Sequence, residues 1–452
     1  MRAAFAAILA VLIVLTLWAT SHKPKAPSGK VVLTWVTDDN PARQEQMRLF
    51  REFCRRRGRP DIDIRLDTSS GTVDKVVVQC VGGVGPDLFD IYGTEQLVTY
   101  AGTGIALDVT DVGRAKGFGL DVYWPALAEA CAVDGRQYSV PTNCAATAIF
   151  YNKDVFDRLG VPYPKGDWTW EQFVATAKRL TTRKKDGRGY ETFGVMAINL
   201  EDCIWQAGGR ILSDDGLTCL LDSPEAIEGA RFYRDLQYRY HVMPTVGEEN
   251  AVAQAGGWGQ GFMNYFLSGH VAMISIGRYA AVQWRQHPEL RWGAAPLPRH
   301  RAKVNRLAWR STAVNRKSPH LKEALMFLEF LVSPEYCRQI NDSADGISAI
   351  PKYEASPEFL HNPAWPRETD NDVWLDAMRY TREFEVSPFI APAVERTIFD
   401  GARDLIRSNA RTPEQAMRDA AARMNAVIRR NIRRDPVMRE RYQRLMQEKG
   451  NR

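Results

Sequence analysis

The sequence predicts an α/β chain in which strands and helices alternate, and three stretches carry that reading. Residues 30–37 (KVVLTWVT) form a β-branched run of strand length, and residues 42–57 form a long amphipathic stretch. The order then recurs, with alternation at 62–66, helical spacing at 73–81 and a second apolar run at 87–92. Such an order belongs to parallel strands joined by crossover helices. Ligands of these sheets bind beyond the carboxyl ends of the strands. Those ends carry Asp38, Asp39 and Asn40 after the first strand and Tyr92, Thr94 and Glu95 after the third.

The middle of the chain has a different texture. Asp134-Gly135 is a hairpin turn between 130–133 and 137–140, and 145–151 is a further apolar strand. Helical spacing follows at 170–180, 224–240 and 320–331, with start signals at Thr169, Ser223 and Ser318-Pro319. Further helices are expected at 373–382 and 413–430. No internal repeat or low-complexity linker marks a domain boundary.

The chain has 452 residues, enough for about three domains or two large ones. With 45% hydrophobic and 25% charged residues it is neither disordered nor fibrous. Lys plus Arg is 60 and Asp plus Glu is 54, a net charge of +6 that is too mild to imply a nucleic-acid partner. Arg2, an apolar run over 3–19 broken by Thr16, and the small polar Thr20 and Ser21 describe a secretory signal at 1–21. The run also reaches the lower limit of a membrane span, about 17 residues, so an uncleaved anchor stays open. Residues 22–30 would be a linker. No Cys follows the apolar run, so a lipoprotein attachment site is not expected.

Seven Cys are an odd number for an oxidising compartment. Their spacing lacks CxxC and no His lies beside two of them, so no metal site is expected. Buried free thiols are the expected state, with Cys131 and Cys144 the one pair to test. Catalytic motifs are missing: no GxSxG, HExxH, P-loop or GxGxxG after a strand. Residues 82–86 (GGVGP) read as a turn into a strand, and residues 256–261 as a flexible loop. Sequence alone nominates no carboxylate pair of a glycosidase. A binding site is easier to build. Sugars need flat aromatic faces and planar polar groups, and Trp205, Trp258, Tyr279, Trp284 and Trp309 all lie in or beside loop-like segments.

Ordered blocks then carry a family likeness. They are residues 85–88 (GPDL), 104–108 (GIALD), 134–141 (DGRQYSVP), 150–156 (FYNKDVF), 159–162 (LGVP), 168–173 (WTWEQF), 266–273 (FLSGHVAM), 293–298 (GAAPLP) and 324–334 (ALMFLEFLVSP). In this order the chain resembles, over about residues 31–427, the extracellular solute-binding proteins of ABC importers, of the maltose- and carbohydrate-binding type. That resemblance implies a two-lobed type II periplasmic-binding-protein fold, with discontinuous lobes joined by hinge strands. Lobe I would hold 31–143 and 312–345, and lobe II 146–308 and 349–428, with crossings near 143–147, 307–312 and 341–348. Residues 429–452 would be a basic C-terminal extension outside the usual pattern, either a solvated helix or a contact for an acidic partner or anionic lipid.

The resemblance also implies a function without catalysis or cofactor: capture of a solute, a mono- or oligosaccharide, and its delivery to the transmembrane subunits of a permease. The protein would be a periplasmic monomer, or one tethered by its N-terminal helix. Expected ligand contacts are Asp38, Asp39, Asn40, Tyr92, Thr94, Glu95, Asn143, Trp205, Trp258, Tyr279, Trp309 and Arg310. Arg278 and Arg310 would be the cations for an acidic sugar or phosphorylated polyol. Rival readings are a binding protein for glycerol phosphate, polyamine or ferric iron, a glycan-active enzyme, and a membrane-anchored sensor.

Overall fold

The computed structural model describes residues 29–69, 72–250, 261–353 and 357–450. The expected signal or anchor and Trp258 with its glycine-rich loop lie outside them. The chain opens with β1 (Val31–Val36), α1 (Ala42–Arg56), β2 (Ile62–Asp67), α2 (Val73–Val81), β3 (Leu88–Ile91) and α3 (Thr94–Gly102). β1 pairs in parallel with both β2 and β3, as the alternation predicts. Helix α1 forms because Met47, Phe50, Phe53 and Cys54 recur at helical spacing, and all four are buried. After α4 (Pro125–Ala130), the expected hairpin is formed by β4 (Ala132–Val133) and β5 (Arg136–Gln137). Asp134 and Gly135 take φ of 50° and 74° at its tip, the left-handed pair that a two-residue turn requires.

The next strand departs from expectation. β6 (Val140–Asn152) is one strand of 13 residues, buried at every position. Burial on both faces erases the alternation that would announce it. Its register against β11 (Asn305–Val314) shifts beside Arg310 and Ser311, so that Ser311 faces Pro141 and Thr142 is skipped. This bulge accommodates a proline inside a central strand.

The chain continues through α5 (Trp170–Leu180), β7 (Thr182–Arg183), β8 (Tyr190–Met196), α6 (Leu200–Gln206), α7 (Pro224–Tyr238), β9 (Val271–Gly277), β10 (Trp292–Ala295) and β11 (Asn305–Val314). It ends with α8 (Leu321–Leu331), α9 (Pro334–Ser343), β12 (Ile347–Ser348), α10 (Asp372–Met378), β13 (Thr381–Arg382), α11 (Pro392–Arg407), α12 (Pro413–Arg434) and α13 (Pro436–Gly450). Thr169 and Gln172 form a capping box on α5, and the Ser223 hydroxyl accepts the Ala226 N–H on α7. Ser318 stands two residues before the cap: its hydroxyl accepts the His320 N–H at 3.0 Å and donates to Asp87 at 2.6 Å, and α8 starts after His320. The helix expected over 373–382 ends at Met378, because the chain turns there to pair β13 with β11.

One sheet of order β2-β1-β3-β11-β6-β9-β8-β7 runs through the molecule. β11 pairs with β3 through Ser311–Val314 and with β6 through Leu307–Thr312, while the far end of β6 pairs with β9. β6 and β11 are therefore shared by both halves of the sheet. The lobe limits expected at 143/146 and 308/312 fall inside these two strands. β12 adds a third link by pairing with Asn143 and Cys144. Gly346 is required just before it: at φ +97° a Cβ would stand 2.7 Å from the Cys144 carbonyl oxygen. All seven cysteines are buried as thiols, and Cys131 and Cys144 are not joined in a disulfide.

Candidate functional site

The central strands floor a cavity of about 330 Å³ between the halves. Asp38 and Tyr92 reach it from the ends of β1 and β3, Asn143 from β6, Trp309 and Arg310 from β11, and Tyr279 from the turn after β9. Two further cavities adjoin it. One, about 380 Å³, shares Tyr279, Arg306 and Ala308. The other, about 820 Å³, shares Glu383 and is also lined by Thr94.

Under this floor lies a buried ionic network. Arg310 donates to Asp90 at 2.8 Å and to the Tyr336 hydroxyl at 3.1 Å, and its second carboxylate, Asp345, is 3.6 Å away. Asp345 also accepts from Arg43 and, at 2.9 Å, from Asn40. Arg43 in turn holds Asp38 at 2.9 Å. Burial pushes the Asp38 carboxyl up, but Arg43 and Arg310 outweigh it and hold it below the usual range, so Asp38 is an anion. Asn143 is spent between the Asp345 carbonyl and Arg310.

Two aromatic groups have a different status. Tyr279 is half-buried and faces two of the cavities; a Cβ on Gly277 would stand 2.6 Å from its ring, so that glycine seats it. Trp309 donates its indole N–H to Glu383 at 2.6 Å. Burial pushes the Glu383 carboxyl up to about 7, against the opposing pull of Arg306 and the Trp309 hydrogen bond. The Arg306 Nε is buried with no hydrogen-bond partner among the described residues.

Several expected contacts are corrected. Trp205 is 2% exposed in the second of two large hydrophobic cores, the one that holds Phe173, Ile204, Leu236 and Phe399, with its indole N–H on Glu385 at 3.3 Å, so it offers no face to the cavity. Asn40 is buried and points at Asp345 and the start of α1. Asp39 is exposed and lines none of the three cavities. Glu95 lines none either; burial raises its carboxyl, with Arg396 of α11 opposing and Asp400 adding to the rise. Arg278 is 1% exposed, bonded to the Asn341 and Gly346 carbonyls and 3.9 Å from the buried Glu368 carboxylate, tying β9 to the third link. Arg278 and Arg310 are thus neutralised inside the protein, and neither is a free cation for an acidic sugar.

Arg306, Glu383, Asp345 and Arg43 were missed by sequence reasoning. Arg306 had one available signal, since it stands four residues before Arg310 on the same strand and therefore on the same side. Glu383 had none, because 74 residues separate it from Trp309. Among the described residues no group of His, Cys, Asp and Glu could hold a metal ion, and no helix is long and apolar enough to cross a membrane.

Comparison with known proteins bears on this arrangement. Residues 42–336 match the family model described as bacterial extracellular solute-binding protein. A binding protein of Brucella abortus is 24% identical over 373 residues, covering 79% of this chain and 83% of the relative. An arabinooligosaccharide-binding protein of Halalkalibacterium halodurans is 23% identical over 316 residues, 65% of this chain and 66% of that one. An ABC substrate-binding protein of Listeria monocytogenes, solved with cycloalternan, superposes with a TM-score of 0.75 at 21% identity, covering 88% of this chain and 99% of its own. UgpB of Mycobacterium tuberculosis, solved with glycerophosphocholine, gives a TM-score of 0.73 at 16% identity, covering 89% and 100%. The fold is the two-lobed periplasmic-binding-protein fold of these structures.

Proposed function

The chain belongs to the bacterial extracellular solute-binding protein family, and we propose that it captures a carbohydrate between its lobes and delivers it to an ABC permease. It is a binding protein and not an enzyme, like the family it belongs to. The observation that carries the sugar reading is the wall of the central cavity. Tyr92, Tyr279 and Trp309 stand there beside the planar polar groups of Asp38, Arg306 and Glu383. Rings meet the CH faces of a sugar, and carboxylate and guanidinium groups pair with its hydroxyls. β6 and β11 act as the hinge, and closure follows because a solute touching both lobes binds the closed form better. The protein works in the periplasm, as a monomer, free or tethered by its N-terminal segment.

A thermal-shift screen with mono- and oligosaccharides, glycerophosphocholine and spermidine tests this. Stabilisation by a sugar supports it, and a shift with spermidine alone sinks it. The unpartnered Arg306 Nε favours one second reading, a phosphodiester solute, for which glycerophosphocholine would be the sole hit.

A further inference from the structure

We propose that the C-terminal helix α13 builds a second solute subsite, so that the cleft takes an oligosaccharide rather than a single sugar; this rests on the carbohydrate reading above. The C-terminal tail is strongly basic. Residues 429–452 hold nine Arg and Lys against three Asp and Glu, so their balance, 9 − 3 = +6, equals that of the whole chain. Its last helix is not simply a solvated extension. Met438, Tyr442 and Leu445 pack on the second core, Tyr442 lies 6.3 Å from Phe389, and Arg441 donates to the Pro388 carbonyl at 3.3 Å. From that seat Arg441 also reaches Asp134 at 2.9 Å, in the hairpin tip of the other lobe.

The largest of the three cavities, about 820 Å³, is bounded by this helix. Arg441, Arg444, Leu445 and Glu448 line it, at positions i, i+3, i+4 and i+7, which is one stripe of a helix. Thr94 and Glu129 face them from the first lobe. Glu129, Arg444 and Glu448 make no ion pair among the described residues, so their planar groups are available to hydroxyls. Glu383 lines this cavity and the central one alike, so the two meet at this side chain. A single sugar in the smaller central cavity would leave the larger one to water. A chain of sugars would pass Glu383 and meet α13.

Calorimetric titration with glucose, maltose, maltotriose and maltotetraose, and with arabinose and its oligomers, tests this on the full chain. Within a binding series affinity should rise at least tenfold from the shortest sugar to the trimer. Arg444→Ala and Glu448→Ala, both at exposed positions, should remove that gain and leave the shortest binder unchanged, with an unaltered melting temperature. Equal affinity along a series, binding of a monosaccharide alone, or a gain that survives both substitutions overturns the subsite and leaves the carbohydrate reading standing. Binding of no sugar removes that reading and the subsite with it.

Discussion

Replacing Arg310 by Met should cost stability far more than it costs solute affinity. The guanidinium is 3% exposed and is bonded to Asp90 at 2.8 Å. Removing one partner of a buried ion pair costs about 3–5 kcal/mol, because the other charge is stranded. Asp90 is not left bare, since it keeps donors from Trp35 at 2.8 Å, Thr37 at 2.5 Å and Thr312 at 2.6 Å. Asp345 likewise keeps Arg43 and Asn40. The loss therefore belongs near the lower end, about 3 kcal/mol. Asp90→Asn alone should cost a similar amount by stranding Arg310, whose other carboxylate is 3.6 Å away. The double variant strands neither charge, so its loss should fall short of the sum by about 2 kcal/mol. Urea unfolding of the four proteins, followed by Trp fluorescence, measures all three numbers. A single-variant loss below about 1 kcal/mol, or strict additivity, would refute the claim that Arg310 is structural.

Other outcomes follow from the same structure. Tyr279→Ala should weaken binding of any sugar found in the screen about tenfold, by loss of an aromatic face, with little change in melting temperature. Trp205→Ala should behave oppositely, losing about 3–5 kcal/mol of stability in urea, because its ring is core. Burial raises Glu395 from its usual 4.5 to about 8, against a backbone hydrogen bond from Ser387. The native state then holds this proton where the unfolded chain has lost it, so stability should fall as pH rises from about 4.5 to 8. Glu395→Gln should flatten that decline in urea midpoint. Finally, the seven buried thiols should resist a chromogenic disulfide in native buffer and titrate as seven per chain in guanidinium.

The local elements and their family order were legible because short-range rules decide them. Apolar spacing drew α1 and α5, Asp134-Gly135 drew the hairpin, and Thr169 and Ser223 drew their caps. Side-chain fate was less legible. Trp205, Tyr279 and Trp309 looked alike in sequence, yet Trp205 lines none of the three cavities, Tyr279 faces two of them and Trp309 faces one. Arg310 looked like a free cation until distant segments, the third strand and the turn before β12, brought Asp90 and Asp345 to it.

The α/β order, the family likeness and the basic tail all follow from the kind and spacing of neighbouring residues, so they are written in the chain itself. Only the tertiary structure decided that β6 is continuous, that Arg278 and Arg310 are neutralised, and that α13 borders the cleft. Each of these depends on contacts between residues far apart in the chain, such as Arg441 with Asp134 across 307 positions, and no local pattern encodes them.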